Sequence, residues 1–505
     1  MSQEYGISAK ASLNPKQDRI LSWLAIFVAI VFAAMYFLTA IPRVFYPYDL
    51  DIVEDGLLME ALRVADDQPI FVPPNADFIP DTYMPLYFWL GGVLFKATGP
   101  SFAPLRLLSL AAIVLTGGLI FWIARRESGL GWVAIVCAGL FLGGYRISGF
   151  WYELARVDAL LVMLTLAGLT LGVYGAGSDR GLVLAAISLA LAFLTKQIGL
   201  IFGLGLAIYL LVTIGRRAWL FVTTFGLLTV GPWIGLNILS DGWFSYYTVV
   251  LAAAANRTEI GRLVDFVRFE LLGVMAGLTM MAMGAGLLSI RRAGSRRWAL
   301  RDQPWLIWMA LAIAASALGR ASVGGAVNTL MPAYTLLCLA PAVLVREWKA
   351  RPDLLPRWRT GLITLVILAQ FALGVYNPLR YIPSPTMRQS GDRLIQKIRA
   401  IDGEVLVMMH PYYAWLAGKA PSAHIGRIWY IHKLGFLPLP PDFVARVQSH
   451  YYAAIISDNG LFETESDLQQ LLGAYYRPAE ILQPDEAPAT ITGIVLRPEV
   501  LYAPK

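Results

Sequence analysis

Charge is scarce in this chain of 505 residues: Asp, Glu, Lys and Arg make up 15%, against 57% hydrophobic residues. That balance excludes an ordinary soluble domain, in which about a quarter of the residues are charged. Cysteine is scarcer still. Cys137 and Cys338 each lie inside an apolar run, where a small hydrophobe is the expected role rather than a disulfide partner or a ligand, so the redox compartment is unreadable. The four histidines, His410, His424, His432 and His450, fall late in the chain without the spacing of a zinc site. No repeat of roughly 20 to 50 residues is visible, which argues against a solenoid. The net charge of +7 does not point to nucleic acid, because most of the basic residues sit in short loops between apolar runs, where membrane topology accounts for them.

Apolar runs of spanning length are what the chain has instead. The first, 20–41, is too long for a signal-peptide core and lacks a small-residue cleavage site, so it predicts a retained span behind a cytoplasmic tail, 1–19. Further runs lie near 103–123, 131–148, 158–176, 181–195, 198–214, 217–238, 268–290, 303–319, 329–345 and 360–376. Arg125-Arg126, Arg180, Arg216-Arg217 and the basic stretches 291–301 and 346–359 alternate with loops that lack such an excess, which places these five inside. The apolar stretch 84–99 is short, and a full crossing there would invert every later loop. It predicts a half-span or interfacial helix on the outer side. The sum is a polytopic α-helical membrane protein of about eleven to thirteen transmembrane helices, eleven by the charge rule, with the N-terminus inside and the C-terminus outside. The membrane part covers 20–377 and its first outer loop 43–83. From 378 to 505 the pattern changes to short apolar strands, 404–409, 452–457 and 492–498, with a helix-like 466–476, which predicts a small extracytoplasmic α/β domain.

The remaining ionisable residues collect on the outer side of this topology. Asp49, Asp51, Glu54 and Asp55 crowd the first outer loop, Glu153, Arg156 and Asp158 the next, and Lys196-Gln197 a hairpin tip. Asn256, Arg257, Glu259 and Arg262 follow, and Arg320 and Asn328 flank a Gly-rich turn. A charge at membrane depth costs several kcal/mol unless it snorkels, pairs or serves a site. Lys196 is either a snorkelling lysine or a cation for a lipid phosphate; Arg156 and Asp158 either pair with one another or hold a ligand. The acidic cluster has a bland reading too, since 54–67 has helical apolar spacing and acids favour a helix N-terminus. Together the residues describe a cavity with carboxylates on one wall and cations on another. Lys offers a compact charge and Arg a planar fork for phosphate. Carboxylates could take a proton from an acceptor hydroxyl, or Asp49, Asp51, Glu54 and Asp55 could hold a divalent ion. Crowding would raise one carboxylate's pKa toward the range of a base. Tyr46, Tyr48, Trp89, Trp151, Trp233 and Trp243, near span ends, predict an interfacial belt rather than sugar platforms. Asn256-Arg257-Thr258 matches a glycosylation sequon, with nothing to indicate a compartment that would use it.

The first-loop segment DIVEDGLLMEALRVADDQPIF (51–71) followed by YMPLYFWLGG (83–92) resembles the loop and Pro-Leu-Tyr element of the GT-C glycosyltransferases, which include the protein O-mannosyltransferases and the lipid A aminoarabinose transferase. RVDALL (156–161), LAFLTKQIGL (191–200) and GRASVGGAVNTLMPAY (319–334) extend the resemblance over roughly 45–335. It implies that 20–377 is a GT-C-like catalytic domain transferring a sugar from a polyprenyl-phosphate donor to a hydroxyl of a glycan, glycolipid or protein, with inversion, at the outer face of a cytoplasmic membrane. It implies Lys196 and Arg156 as phosphate ligands, with Gln197, Asp158, Arg320, Asn328 and Tyr83 around the substrate. Many relatives carry an Asp-Glu pair in the first loop where this chain has Val53-Glu54, so Asp51, Glu54 and Asp55 all stand as candidates for the base. Polyprenyl phosphate is a good leaving group, so no cofactor is required, and a divalent metal stays open. A transporter or lipid flippase, or a polysaccharide polymerase or ligase with a diphosphate-linked donor, is the rival reading.

Overall fold

The apolar runs fold as helices. In the computed structural model the described residues are 15–255, 257–293, 302–322, 324–350, 359–434, 437–459 and 466–505. Asn256 of the sequon and much of the basic stretches 291–301 and 346–359 lie outside them. Among the described residues seven segments are long and apolar enough to cross a membrane: Arg19–Val44, Phe102–Ser128, Val157–Tyr174, Gly199–Leu239, Pro304–Ala321, Val327–Lys349 and Gly361–Arg380. The pair Ile260–Val274 and Ala276–Ile290, bent by 89°, makes an eighth if it is one broken span. The chain is thus a multi-pass membrane protein.

Eleven crossings were expected, and length explains most of the difference. The run near 131–148 is helical only over Gly131–Gly143, 13 residues, about 20 Å, which falls short of the ~30 Å hydrocarbon core. Asp179–Thr195 has 17 residues. The two runs from 198 to 238 merge into one segment of 41 residues. A straight helix of that length would measure roughly 60 Å, twice the core thickness. It is broken by the 3-10 turn Gly215–Ala218, where Gly215 has φ 63°, and its halves Gly199–Ile214 and Trp219–Leu239 pack against the same neighbour, Asp179–Thr195. The stretch 84–99 forms the helix Leu86–Thr98, 13 residues long and too short to cross. It lies against Ile52–Ala65, and glycine makes the approach possible: a Cβ on Gly92 would sit 2.3 Å from Val64 Cγ1.

The C-terminal unit is built on a four-stranded sheet of order β1-β2-β4-β3, with β1 (Glu404–Val407) parallel to β2 (Tyr452–Asp458), and β4 (Pro498–Pro504) antiparallel to both β2 and β3 (Tyr476–Ile481). The first two expected strands and the helix Ser466–Tyr475 are present. The third is displaced. Residues 490–496 close on themselves, with Thr490 N–H donating to Leu496 O and Leu496 N–H to Thr490 Oγ1, both at 2.9 Å, so the apolar TGIVLRP forms a loop and the strand begins at Pro498. The unit does not stand apart from the membrane helices. One buried cluster joins Leu57, Leu62, Phe88 and Leu105 to Leu406, Met409, Ile428 and Ile455. The first loop is therefore packed between the bundle and the sheet.

Candidate active site

Asp49, Asp51, Glu54 and Asp55 are all at most 2% exposed, so the cluster is no solvated loop. Buried carboxylates require partners, and here the partners separate the four. Asp51 is the N-cap of the helix Ile52–Ala65, its Oδ1 accepting from Val53 N–H at 3.1 Å. Glu54 grips Arg106 with both oxygens, at 2.8 and 2.7 Å, and accepts from Leu50 and Ala155 N–H at 2.8 and 2.7 Å. Asp55 accepts from Tyr412 N–H at 3.1 and 3.2 Å. Asp49 accepts from Tyr413 and meets His410 Nδ1 at 2.7 Å, while His410 Nε2 meets Asp458 at 2.8 Å. Of the four, only Asp51 lines the large cavity beside the loop.

That cavity measures about 2070 Å³. Leu161, Phe193, Val230, Trp233, Leu251 and Leu318 make an apolar flank, on which Val230 and Leu318 are 54% and 56% exposed, facing where lipid would lie. The flank ends at a chain of alternating charge. Arg156 Nη1 donates to Asp51 Oδ1 at 2.7 Å, and Arg156 Nε reaches Asp158 at 3.5 Å. Lys196 Nζ donates to Asp158 Oδ1 at 2.7 Å. Asn328 Nδ2 holds both Asp158 oxygens, at 3.1 and 3.0 Å. Arg156 Nη2 makes no hydrogen bond among the described residues, and Lys196 uses one of its three donors. The two cations thus retain donors that an anion could take. Trp151 lies under the Arg156 guanidinium, 4.6 Å from ring centre to Cζ, and Tyr83 lies 5.3 Å from Lys196 Nζ, both contacts of cation–π type.

The other expected site residues divide in the same way. Gln197 donates to Thr82 O at 2.6 Å and Thr248 O at 3.0 Å, which makes it a brace between two lining segments. Arg320 lines the cavity but pairs with Glu270 at 2.5 Å and donates to Gly325 O, so its charge is already matched. Asp158 also lines the cavity, where it holds both cations and is itself held by Asn328. Burial raises the Asp51 pKa above its ordinary value against the pull of Arg156. Burial also dominates at Asp55, raised well above its ordinary value with Asp49 adding to it, and at Glu60, raised to about 8.

The carboxylate cluster does not fit a divalent ion. Its members turn to separate partners, and among the described residues no group of three or more His, Cys, Asp or Glu side chains is placed to hold a metal ion. The belt expected of the aromatic residues is corrected for three of its six members: Tyr46, Tyr48 and Trp151 are 4–5% exposed, packed around the first loop rather than at a lipid interface, while Trp89 and Trp243 are half-buried and Trp233 is exposed. Several buried partners escaped the sequence reading. Arg43 pairs with Glu153 at 2.5 Å, Arg106 with Glu54, and Arg427 of the C-terminal unit with Glu60 at 2.8 Å and Asp81 at 3.2 Å. Arg106 had a signal, being a lone charge inside an apolar run.

In fold, this arrangement of helices, short lateral helix and docked C-terminal sheet is similar to solved GT-C glycosyltransferases. The family model described as dolichyl-phosphate-mannose-protein mannosyltransferase matches residues 80–240. Among solved structures, ArnT from Cupriavidus metallidurans in the apo state matches with a TM-score of 0.61 at 14% identity, over 96% of this chain and 98% of that one. The same protein bound to undecaprenyl phosphate matches with a TM-score of 0.58 at 13% identity, over 97% and 98%. An oligosaccharyltransferase from Archaeoglobus fulgidus matches with a TM-score of 0.49 at 14% identity, over 95% of this chain and 75% of that one. No curated protein matches the chain in sequence.

Proposed function

We propose that the protein is a glycosyltransferase that moves a sugar from a polyprenyl-phosphate donor to an acceptor hydroxyl, with inversion, at the outer face of a cytoplasmic membrane. One observation carries this reading: the apolar, lipid-facing flank of the cavity ends at Lys196 and Arg156, whose open donors adjoin two carboxylates, Asp158, held on both oxygens by Lys196, Arg156 and Asn328, and Asp51, whose Oδ2 is not engaged by them. A prenyl chain suits the flank, a phosphate the cations, and a reacting sugar the space beside Asp51. Asp51 takes the acceptor proton, the acceptor oxygen forms a bond to the anomeric carbon, and the bond from that carbon to the phosphate oxygen breaks on the opposite face. The phosphate leaves with the electron pair, and Lys196 and Arg156 neutralise its charge. Of the three cations on the wall made by the membrane helices, Arg320 is matched by Glu270, and the two that keep donors, Lys196 and Arg156, suit a monophosphate. No step needs a metal ligand from the first loop. The placement of the charges at one end of the bundle favours this over a transporter, whose polar site lies near the bilayer midplane.

Native mass spectrometry of the full chain in mild detergent with added undecaprenyl phosphate tests the donor site. The wild type is expected to carry the lipid and Lys196→Ala to lose most of it, since a charged hydrogen bond is worth about 1.5–3 kcal/mol. Equal loading of both proteins would remove Lys196 from the phosphate site.

A further inference from the structure

The cavity is larger than a lipid-linked sugar requires. Its volume of about 2070 Å³ is at least twice the roughly 300–1,000 Å³ that encloses a drug-sized ligand, and the donor site described above occupies only the wall made by the membrane helices. The facing wall belongs to the C-terminal unit. His424 caps the helix Ile425–Lys433, its Nδ1 accepting from Gly426 N–H at 3.1 Å, while its Nε2 donates to Ile52 O at 3.2 Å. This helix therefore starts beside the residue that follows Asp51. Ile425, Ile428 and Ile431 are buried, which fixes the rotation of the helix and leaves Trp429 and Tyr430 on the cavity, 37% and 38% exposed. They lie about 6–8 Å along the axis from its start. Their rings are 5.2 Å apart and perpendicular, at 90°.

Gly493 keeps the route to Asp51 open. It has φ 70°, and a Cβ there would lie 2.5 Å from Asp51 Oδ2 and 3.1 Å from the Trp151 ring. Its loop is fixed in that position, because Arg43 donates to Thr492 Oγ1 at 2.9 Å and Thr492 N–H to Leu50 O at 2.9 Å.

Resting on the transferase reading above, we infer that Trp429 and Tyr430 form the acceptor platform and that the acceptor is a saccharide, free or as the head of a glycolipid. A sugar ring presents C–H groups on its faces and hydroxyls at its rim. The electron-rich face of an aromatic ring takes the first and leaves the second free to reach Asp51. A peptide acceptor would be held by strand addition or by side-chain pockets, and the edge strands β1 and β3 do not line the cavity.

Saturation-transfer NMR on the full chain tests this, with neutral, amino and uronic trisaccharides, each free and lipid-linked, beside a Ser/Thr-rich peptide. At least one saccharide is expected to bind the wild type, to bind Trp429→Ala and Tyr430→Ala about tenfold or more weakly, and to bind Trp429→Phe nearly as well as the wild type. Undecaprenyl phosphate loading should be unchanged in all three variants, which shows them folded with the donor site intact. Equal binding of the free and lipid-linked forms assigns recognition to the sugar alone; tighter binding of the lipid-linked form assigns a glycolipid. Saccharide binding that ignores the substitutions, binding of the peptide only, or no saccharide binding to a wild type that still loads undecaprenyl phosphate overturns the platform alone. A wild type that loads neither ligand overturns the donor reading with it.

Discussion

The two ends of the helical bundle carry buried charge clusters made of similar residues, and they do different things. At the cavity end stand Asp51, Arg156, Asp158 and Lys196. At the other stand Glu127, Gln303, Arg346 and Glu347. The helix Pro304–Ala321 separates them, running its 18 residues, about 27 Å, from Gln303 at one end to Arg320 at the other. In the far cluster Arg346 donates to Glu127, to Gln303 Oε1 at 2.6 Å and to Glu347 at 3.0 Å; Gln303 donates to Glu347 at 2.9 Å; and Tyr174 and Trp305 close on Glu127. None of its members lines the cavity. Charge density alone does not mark a site. Donors left unmatched and facing space do, and of these two clusters the one at the cavity has them, on Arg156 and Lys196, whereas each guanidinium nitrogen of Arg346 donates to a described residue.

The same contrast divides two carboxylates three positions apart, and it yields the largest effects. Asp51→Asn is expected to lower sugar transfer by about 10²–10⁴-fold, the usual contribution of a general base, with a smaller loss of thermal stability than Glu54→Gln, because Arg156 keeps Asp158 as a counter-ion and an asparagine still caps the helix. The acid limb of its pH profile should follow from the raised pKa: activity climbs as Asp51 loses its proton, with a midpoint above the ordinary ~3.9. Glu54→Gln should instead leave Arg106 buried without its counter-ion, at a cost of about 3–5 kcal/mol. Its folded yield and melting temperature fall, and the protein that does fold turns over normally. A fully folded, inactive Glu54→Gln beside an active Asp51→Asn would reverse the assignment.

Arg346→Met should act at the far end only. Arg346 is 23% exposed, so losing its charged hydrogen bonds costs roughly 1–3 kcal/mol, read as a lower melting temperature. Transfer per folded molecule stays at the wild-type level. A loss of turnover with unchanged melting would mean that the far cluster communicates with the cavity, and the contrast between the ends would fail.

The sequence carried the membrane class, and it singled out Lys196, Arg156 and Asp51, which the structure brings to one cavity, because a charge in an apolar context is visible without a structure. It could not divide the acidic cluster. Asp51 and Glu54 are equivalent in composition and spacing; they differ because Arg106, 52 positions beyond Glu54, reaches only one of them. The helix Gly131–Gly143 shows a second limit, since an apolar run signals burial as readily as crossing when its neighbours are protein rather than lipid. The platform on the C-terminal unit was hidden for a third reason. Trp429 and Tyr430 sit in an ordinary amphipathic helix, and only its docking beside Ile52 turns them toward the cavity.

A third buried cluster joins the two compared regions' properties, closed like the far end yet able to titrate. His410 is clamped between Asp49 of the first loop and Asp458 at the end of β2, and it stacks on Tyr413 at 4.9 Å. Asp55 and His424 are its further charged or titratable neighbours. Burial alone would lower the His410 pKa, and Asp49 followed by Asp458 more than offsets it, leaving the pKa well above the ordinary value. His424 moves the other way, down to about 3, through burial and then Arg427. A raised folded pKa means that the His410 contribution is fully present below about pH 6.5, the value of a free histidine, and is lost as the pH rises through the folded value. The effect is the smallest of the series, a melting temperature that declines with rising alkalinity in the wild type and is flatter in His410→Asn, which is less stable at every pH. Identical slopes in the two proteins would mean that the pair of aspartates holds a neutral ring, and that the ionic fastening of the C-terminal unit to the first loop is left to pairs such as Arg427 with Glu60 and Asp81.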